Sequence, residues 1–206
     1  MRSKYDFTLN EWMNSYIMEV MLSNKKVEIM SKIVELSKTE YKDYQLDYEY
    51  TTKFYYHVSI KKKKDIKILI KKKRFARKQE KKFTDFLFQS YVEEPQVFGI
   101  FDKKKLIGVI EGSIETWNNR YRIWNFLVEK KYRRDGYGKM LFQHMVEIAK
   151  EKKARALVLE CQSCNEPAIS FYLDRGMHFM GLDTMSYSNK DIENKEVRIE
   201  MGMRLD

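Results

Sequence analysis

Two prolines and eight glycines in 206 residues exclude a flexible Pro/Gly linker, and no internal repeat divides the chain. Cysteine is almost absent. Cys161 and Cys164 are the only thiols, and His57, His144 and His178 are scattered. Two thiols cannot complete a four-ligand zinc site and the histidines add no ligand spacing. No metal is therefore expected, and the cysteines read as ordinary thiols near a strand end. No stretch approaches the roughly 18 apolar residues of a membrane span, and the opening MRSKYDFTLNEW has no apolar run of the secretory kind. These absences point to a soluble, cytoplasmic protein without a membrane partner. What is present is an apolar content of 43% and an aromatic content of 14%, enough to pack one domain with a proper core.

The net charge of +10 is concentrated in one place. Residues 61–82, KKKKDIKILIKKKRFARKQEKK, hold 13 Lys/Arg against Asp65 and Glu80, whereas the rest of the chain has 27 basic and 28 acidic residues. A near-neutral protein thus carries one basic segment. Such a segment can attract phosphate-rich partners; its plainer reading is a solvated hairpin and helix face.

Thr8 and Glu11 have the form of a capping box. Leu9, Trp12, Met13, Tyr16, Ile17, Val20 and Met21 follow on one helical stripe, and a second stripe carries Val27, Met30, Ile33, Val34 and Ser37. Residues 1–48 therefore read as a helical extension packed on the domain, with a homodimer contact as the competing use of the stripe. Residues 49–206 form the domain proper. Within it Phe54–Ile60 and Ile66–Ile70 read as strands and Phe83–Tyr91 as a helix. Gln96–Asp102 and Leu106–Glu115 form a hairpin, Tyr121–Glu129 a strand, Gly136–Lys152 a helix and Ala156–Cys161 a buried strand. Pro167 starts a helix that Gly176 stops, and strands near Phe179–Tyr187 and Val197–Leu205 close the chain. The order is mixed α/β of the α+β type.

The chemistry lies at the strand–turn–helix junction from Phe126 to Lys139, FLVEKKYRRDGYGK. Gly136 and Gly138 remove side chains where a backbone must approach a bulky anion. The free N–H groups of the first helical turn face that anion, helped by the positive end of the helix dipole. Arg133, Arg134 and Lys139 add charge. Neither GxGxxG nor GxxxxGK[ST] is present, so other phosphate loops fit less well.

Arg133-x-x-Gly136-x-Gly138 resembles the acetyl-CoA pyrophosphate signature of the GNAT superfamily of N-acetyltransferases. Leu159-Glu160, Asn165, Ala168, Phe171-Tyr172 and Gly176-Met177 resemble its second block. Within the superfamily, Trp117-Asn118-Asn119, Leu159-Glu160-x-Gln162 and Asp183-Thr184-Met185-x-Tyr187 are similar to streptothricin acetyltransferases. This chain has Trp124-Asn125 where those enzymes carry adjacent carboxylates.

The resemblance implies a GNAT fold, a mixed central β-sheet flanked by helices, and acetyl-CoA as co-substrate. It implies transfer of an acetyl group to a small-molecule or peptide amine, including antibiotics of the streptothricin or aminoglycoside kind. The backbone from Arg134 through Asp135, Gly136, Tyr137 and Gly138 to Lys139 would hold the cofactor phosphates, with Arg133 beside it. The strand backbone at Phe126, Leu127 and Val128 would run along the pantetheine and polarise the carbonyl, and Asn165 would touch the cofactor or cap the Pro167 helix. Tyr172 is the candidate acid and Glu160 the candidate base. Glu160 ends an apolar strand, a setting that raises a carboxyl pKa. Glu111 and Glu115 are alternatives for the base or for gripping a cationic acceptor, and Trp124 is the candidate floor of the acceptor pocket. The alternatives are a peptide or protein N-acetyltransferase and a nucleic-acid-binding protein using segment 61–82. The second leaves both motif blocks unexplained, so nucleic acid is not expected as a partner.

Overall fold

The computed structural model describes residues 33–205. Its order is β1 (Ile33–Glu35), α1 (Lys38–Tyr41), β2 (Gln45–Lys62), β3 (Ile66–Phe86), β4 (Gln96–Asp102), β5 (Lys105–Glu115), β6 (Arg120–Val128), α2 (Tyr137–Glu151), β7 (Ala156–Gln162), α3 (Glu166–Leu173), β8 (His178–Asp183), α4 (Asp191–Asn194) and β9 (Arg198–Arg204). Seven strands form one sheet in the order β1-β4-β5-β6-β7-β9-β8, and β2 and β3 form a separate two-stranded ribbon. Among the described residues only the β6–β7 pairing is parallel, and α2 makes its crossover.

The α2 helix forms because Leu141, Phe142, Met145, Val146 and Ala149 recur at helical spacing and bury one face. That face packs with Ile100, Ile107, Ile110, Tyr121, Leu157 and Leu159 in the main core. A second core lies on the opposite face of the sheet, where Leu46, Leu87 and Phe88 cover Val97 and Val109. The base of the ribbon supplies that cover.

The expected hairpin at 96–115, the strands at 121–129 and 156–161 and both later helices are present within a few residues of their expected ends. Three expectations need correction. The helix at Phe83–Tyr91 is the end of β3 followed by turns; Phe83 stacks on Tyr48 across the ladder at a centroid distance of 4.6 Å. The short strands at 54–60 and 66–70 belong to one ribbon paired from Gln45↔Phe86 to Lys62↔Ile66. Its slip near Thr52/Phe54 leaves residues 75–78 unpaired, and this bulge hides the strand period from a sequence pattern. The helical stripe through Ile33, Val34 and Ser37 gives way to β1, which borrows its order from pairing with β4. The stripe at Leu9–Met21 lies outside the described residues.

Candidate active site

Strands β6 and β7 pair through only three residues, Arg120–Arg122 against Ala156–Val158, and then part. The cause is local. Glu111 pairs with Asn125 and Gly112 with Ile123, so Trp124 is an extra residue in β6, a bulge that bends the strand away from β7. Beyond it the β6 edge faces a gap, and the Phe126 N–H points there, donating to the Tyr48 side chain and not to the backbone of a neighbouring strand.

The glycine turn stands at the mouth of this gap. Arg134 (φ 74°) and Gly136 (φ 92°) are both left-handed, so the chain folds back into a concave loop before α2. Gly136 is the N-cap and has no side chain to satisfy the first-turn N–H groups, which are left for a ligand. A Cβ at Gly138 would sit 3.4 Å from Phe171 and 3.7 Å from Val128, so the helix start lies tight against both walls. Arg134, Asp135 and Lys139 are exposed around the loop, and Tyr137 packs edge-on to Tyr132. Arg133 does not reach outward as expected. Its guanidinium donates to the carbonyls of Val128 at 2.8 Å and Glu49 at 2.7 Å, tying the loop to β6 and to the ribbon.

The ribbon crosses the gap. The Tyr56 N–H donates to the Ser163 carbonyl at 2.8 Å, and the Tyr50 hydroxyl donates to Gln162 at 3.1 Å. The Tyr48 hydroxyl accepts the Phe126 N–H at 3.2 Å and donates to Asn125 Oδ1 at 2.8 Å. Sequence reasoning missed Tyr48. The alternation of Tyr48, Tyr50 and Thr52 was its only signal, and β2 was not recognised that far upstream.

Tyr172 comes to the same place from α3. Its ring lies in an aromatic cluster with Phe126, Phe142 and Phe171, and its hydroxyl is held protonated well beyond the ordinary phenol range by burial, then by the charges of Cys161 and Glu160. Tyr48 is raised likewise, by burial first and then by Asp85, with Tyr172 and Glu111 contributing.

The carboxylates sort differently from expectation. Glu160 does not sit among apolar side chains: it is exposed, accepts the Tyr187 hydroxyl at 2.7 Å and pairs with Arg198 at 3.3 Å. Glu111 is completely buried, accepting from Asn125 Nδ2 at 2.7 Å and the Phe88 N–H at 2.8 Å. Burial raises its pKa against the lowering by these two bonds. It cannot touch an acceptor directly. Glu115 is neutralised by Arg120 and Arg122, each at 2.8 Å, and those contacts lower its pKa. Trp124 donates to Ser113 Oγ at 2.9 Å, with Tyr91 at 5.8 Å and the Arg122 guanidinium at 5.5 Å from its ring. Tyr91 and Trp124 make this side of the gap aromatic, and burial first, then the fields of Asp85, Glu111 and Glu160, raise the pKa of Tyr91.

Leu127 packs its side chain into the second core, leaving only its backbone for the site. The Asn165 side chain caps α3 through the Ala168 N–H at 3.3 Å. Among the described residues no group of three or more His, Cys, Asp or Glu is placed to hold a metal, and no helix is long and apolar enough to cross a membrane.

The Acetyltransferase (GNAT) family model matches residues 63–179. Streptothricin acetyltransferase A of Bacillus subtilis (strain 168) is 34% identical over 125 residues, 59% of this chain and 72% of that protein. Streptothricin acetyltransferase of Streptomyces lavendulae is 34% identical over 90 residues, 44% of this chain, and the match spans about half (48%) of that protein. The crystal structure of Nourseothricin acetyltransferase superposes with a TM-score of 0.64 over 85% of this chain and 99% of that one, at 23% identity.

Proposed function

The chain belongs to the GNAT acetyltransferase family and has its fold, and we propose that it is an acetyl-CoA-dependent N-acetyltransferase for a cationic primary amine of the streptothricin kind. One observation carries the reading: a gap between two parallel strands, with an edge N–H at Phe126, opens directly onto an uncapped helix N-terminus at Gly136. An extended ligand ending in phosphates fits such a gap, the strand edge taking its amides and the helix start its anion. Acetyl-CoA supplies the acyl group as a thioester.

The chain's own groups divide the remaining work. First-turn N–H groups of Tyr137, Gly138 and Lys139 bind phosphate, with Arg134 and Lys139 adding charge, and Arg133 holds the loop in shape. The Phe126 N–H polarises a carbonyl that takes the place of the Tyr48 hydroxyl it now meets. Tyr172, kept protonated by burial, is the proton donor to a departing thiolate. Glu160 is the proton acceptor for the ammonium, because it is accessible in the cleft whereas Glu111 is sealed. Glu111 acts instead through Asn125, fixing its amide. Tyr91 and Trp124 form a surface on which a cation can rest.

The basic segment does not contradict a cationic acceptor. Asp47, Glu49 and Asp85 lie at the end of the ribbon beside the cleft, while residues 61–74 lie toward its far end.

Calorimetry with acetyl-CoA, followed by thiol release with a panel of amines including streptothricin, tests the proposal. Binding with turnover on streptothricin supports it. Turnover only on a peptide N-terminus moves the acceptor to the peptide class, and absence of acetyl-CoA binding overturns the reading altogether.

A further inference from the structure

The β2–β3 ribbon sorts its residues by face. Register partners Val58/Ile70 and Tyr56/Lys72 point inward, where Val58, Tyr56 and Ile70 join the main core and Lys72 pairs with Glu166 of α3. The partners His57/Lys71, Ser59/Leu69 and Lys61/Lys67 share the outward face, and Lys73 continues it opposite Tyr55, whose ring is itself buried against Tyr50 and Cys164. Among the described residues Lys61, Lys67, Lys71 and Lys73 are exposed and none makes an ion pair, although nine such pairs occur elsewhere. Lys61 and Lys67 stand directly opposite one another, an arrangement that destabilises a ladder. The outward charge is therefore not used in folding.

An open groove of about 530 Å³ lies at the bulge, lined by Phe75, Arg74, Arg77, Lys195 and the buried Tyr55 among others. Tyr55 and Phe75 lie 4.6 Å apart, and the Lys195 ammonium stands 5.6 and 5.7 Å from their rings. Burial first, then the fields of Lys73 and Lys195, lower the pKa of His57 on the outward face.

We propose that this outward face binds single-stranded nucleic acid, its lysines tracking the phosphates and the aromatic groove taking a base. Three features select this class. At about 3.4 Å per residue, Lys67 to Lys73 spans roughly 20 Å, the reach of several phosphates rather than one. Phe75, half-buried beside the exposed Arg74 and Arg77, offers the kind of ring-and-arginine platform on which unpaired bases stack. The exposed isoleucines Ile60, Ile66 and Ile68 lie on the opposite face, which leaves Leu69 as the one exposed large apolar side chain among the outward lysines, too little to insert into a bilayer. Lys61, Lys67 and Lys71 lie beyond Tyr56, where the ribbon leaves the gap, and the inference stands without the acetyl-transfer reading.

Fluorescence anisotropy of a labelled 20-mer oligouridylate, titrated with the full chain, tests this. With about five phosphate contacts the log–log salt slope is near −3.5, a loss of about a hundredfold in affinity between 50 and 200 mM salt. The triple variant K67Q/K71Q/K73Q should bind at least tenfold more weakly at 50 mM salt, with a slope shallower by about 2, while keeping its melting temperature and acetyl-CoA affinity. Absence of binding at 50 mM salt, or equal binding by the variant, overturns the proposal. Equally tight competition by polyglutamate also overturns it, assigning the face to an acidic protein, and equal binding to phosphatidylserine vesicles assigns it to a membrane.

Discussion

The Tyr48 hydroxyl accepts the Phe126 N–H at 3.2 Å, and the amide of Asn125 fixes the direction of that bond. Asn125 Nδ2 donates to Glu111 at 2.7 Å and to the Phe86 carbonyl at 3.3 Å, so Oδ1 must face Tyr48 and accept its proton. The phenol thus presents a lone pair, not a proton, to Phe126. It occupies the place that a carbonyl would take at this N–H.

Tyr48→Phe should separate folding from binding. The ring stack on Phe83 survives, but Asn125 Oδ1 loses its donor, at a cost of about 1–3 kcal/mol in stability. Acetyl-CoA no longer competes with the phenol for Phe126, so its affinity should rise by about 2- to 10-fold, while that of CoA without an acyl group changes little. Paired calorimetric titrations check this. Weaker acetyl-CoA binding in the variant would show that the phenol assists the carbonyl rather than standing in for it.

Glu111 predicts a pH dependence of stability. Its folded pKa lies above the carboxylate value of 4.5, with burial as the main cause. The folded state then holds a proton that the unfolded chain releases, so this group's contribution is complete below about 4.5 and declines as pH rises through the folded pKa. Glu111→Gln removes the titration and sets an amide N–H against the donors of Asn125 or Phe88, costing about 1–3 kcal/mol. The gap in melting temperature between wild type and variant should narrow as pH is raised from 4.5 to 8. A constant gap would show that Glu111 has the same pKa in both states.

Tyr172→Phe should lower kcat by about a hundredfold and leave the Kd for acetyl-CoA within about twofold, the pattern of a lost proton donor. Because burial raises the phenol well above its ordinary value of 10.0, the wild-type rate should show no alkaline limb from this group below that pH. A limb near 10 that vanishes in the variant would contradict the buried placement.

Much of this site was legible in the sequence because its parts are local. Gly136, Gly138 and the α2 stripe announce a strand–turn–helix junction from spacing alone, and that junction stands where the spacing puts it. Tyr48 was not legible, since what gives it meaning is a contact 78 residues away with Phe126. The ribbon escaped for a related reason. Lysine is a poor strand former, and the order of β3 comes from pairing with β2 and from the inward seating of Ile70, neither of which has a local signature. Glu111 and Glu115 carry the same residue type on the same strand. Only their neighbours, Asn125 for one and two arginines for the other, separate an enclosed carboxylate from a neutralised one.

The two glycines of the cradle should fail in opposite ways. At Gly136 a Cβ meets nothing within 4 Å, but the backbone stands at φ +92°, so Gly136→Ala should cost about 1–2 kcal/mol of stability through strain alone. At Gly138 the backbone is helical, and a Cβ would make ordinary contact with Phe171 and Val128. Gly138→Ala should therefore be neutral or gain about 0.5–1 kcal/mol from helix propensity, while its methyl group crowds the mouth of the gap and weakens acetyl-CoA binding by about tenfold. Melting temperature and calorimetric Kd, measured on both variants, give a crossed pattern if the turn is a phosphate cradle. If both variants lose stability and keep affinity, the glycines serve only the turn, and the phosphates must be held elsewhere.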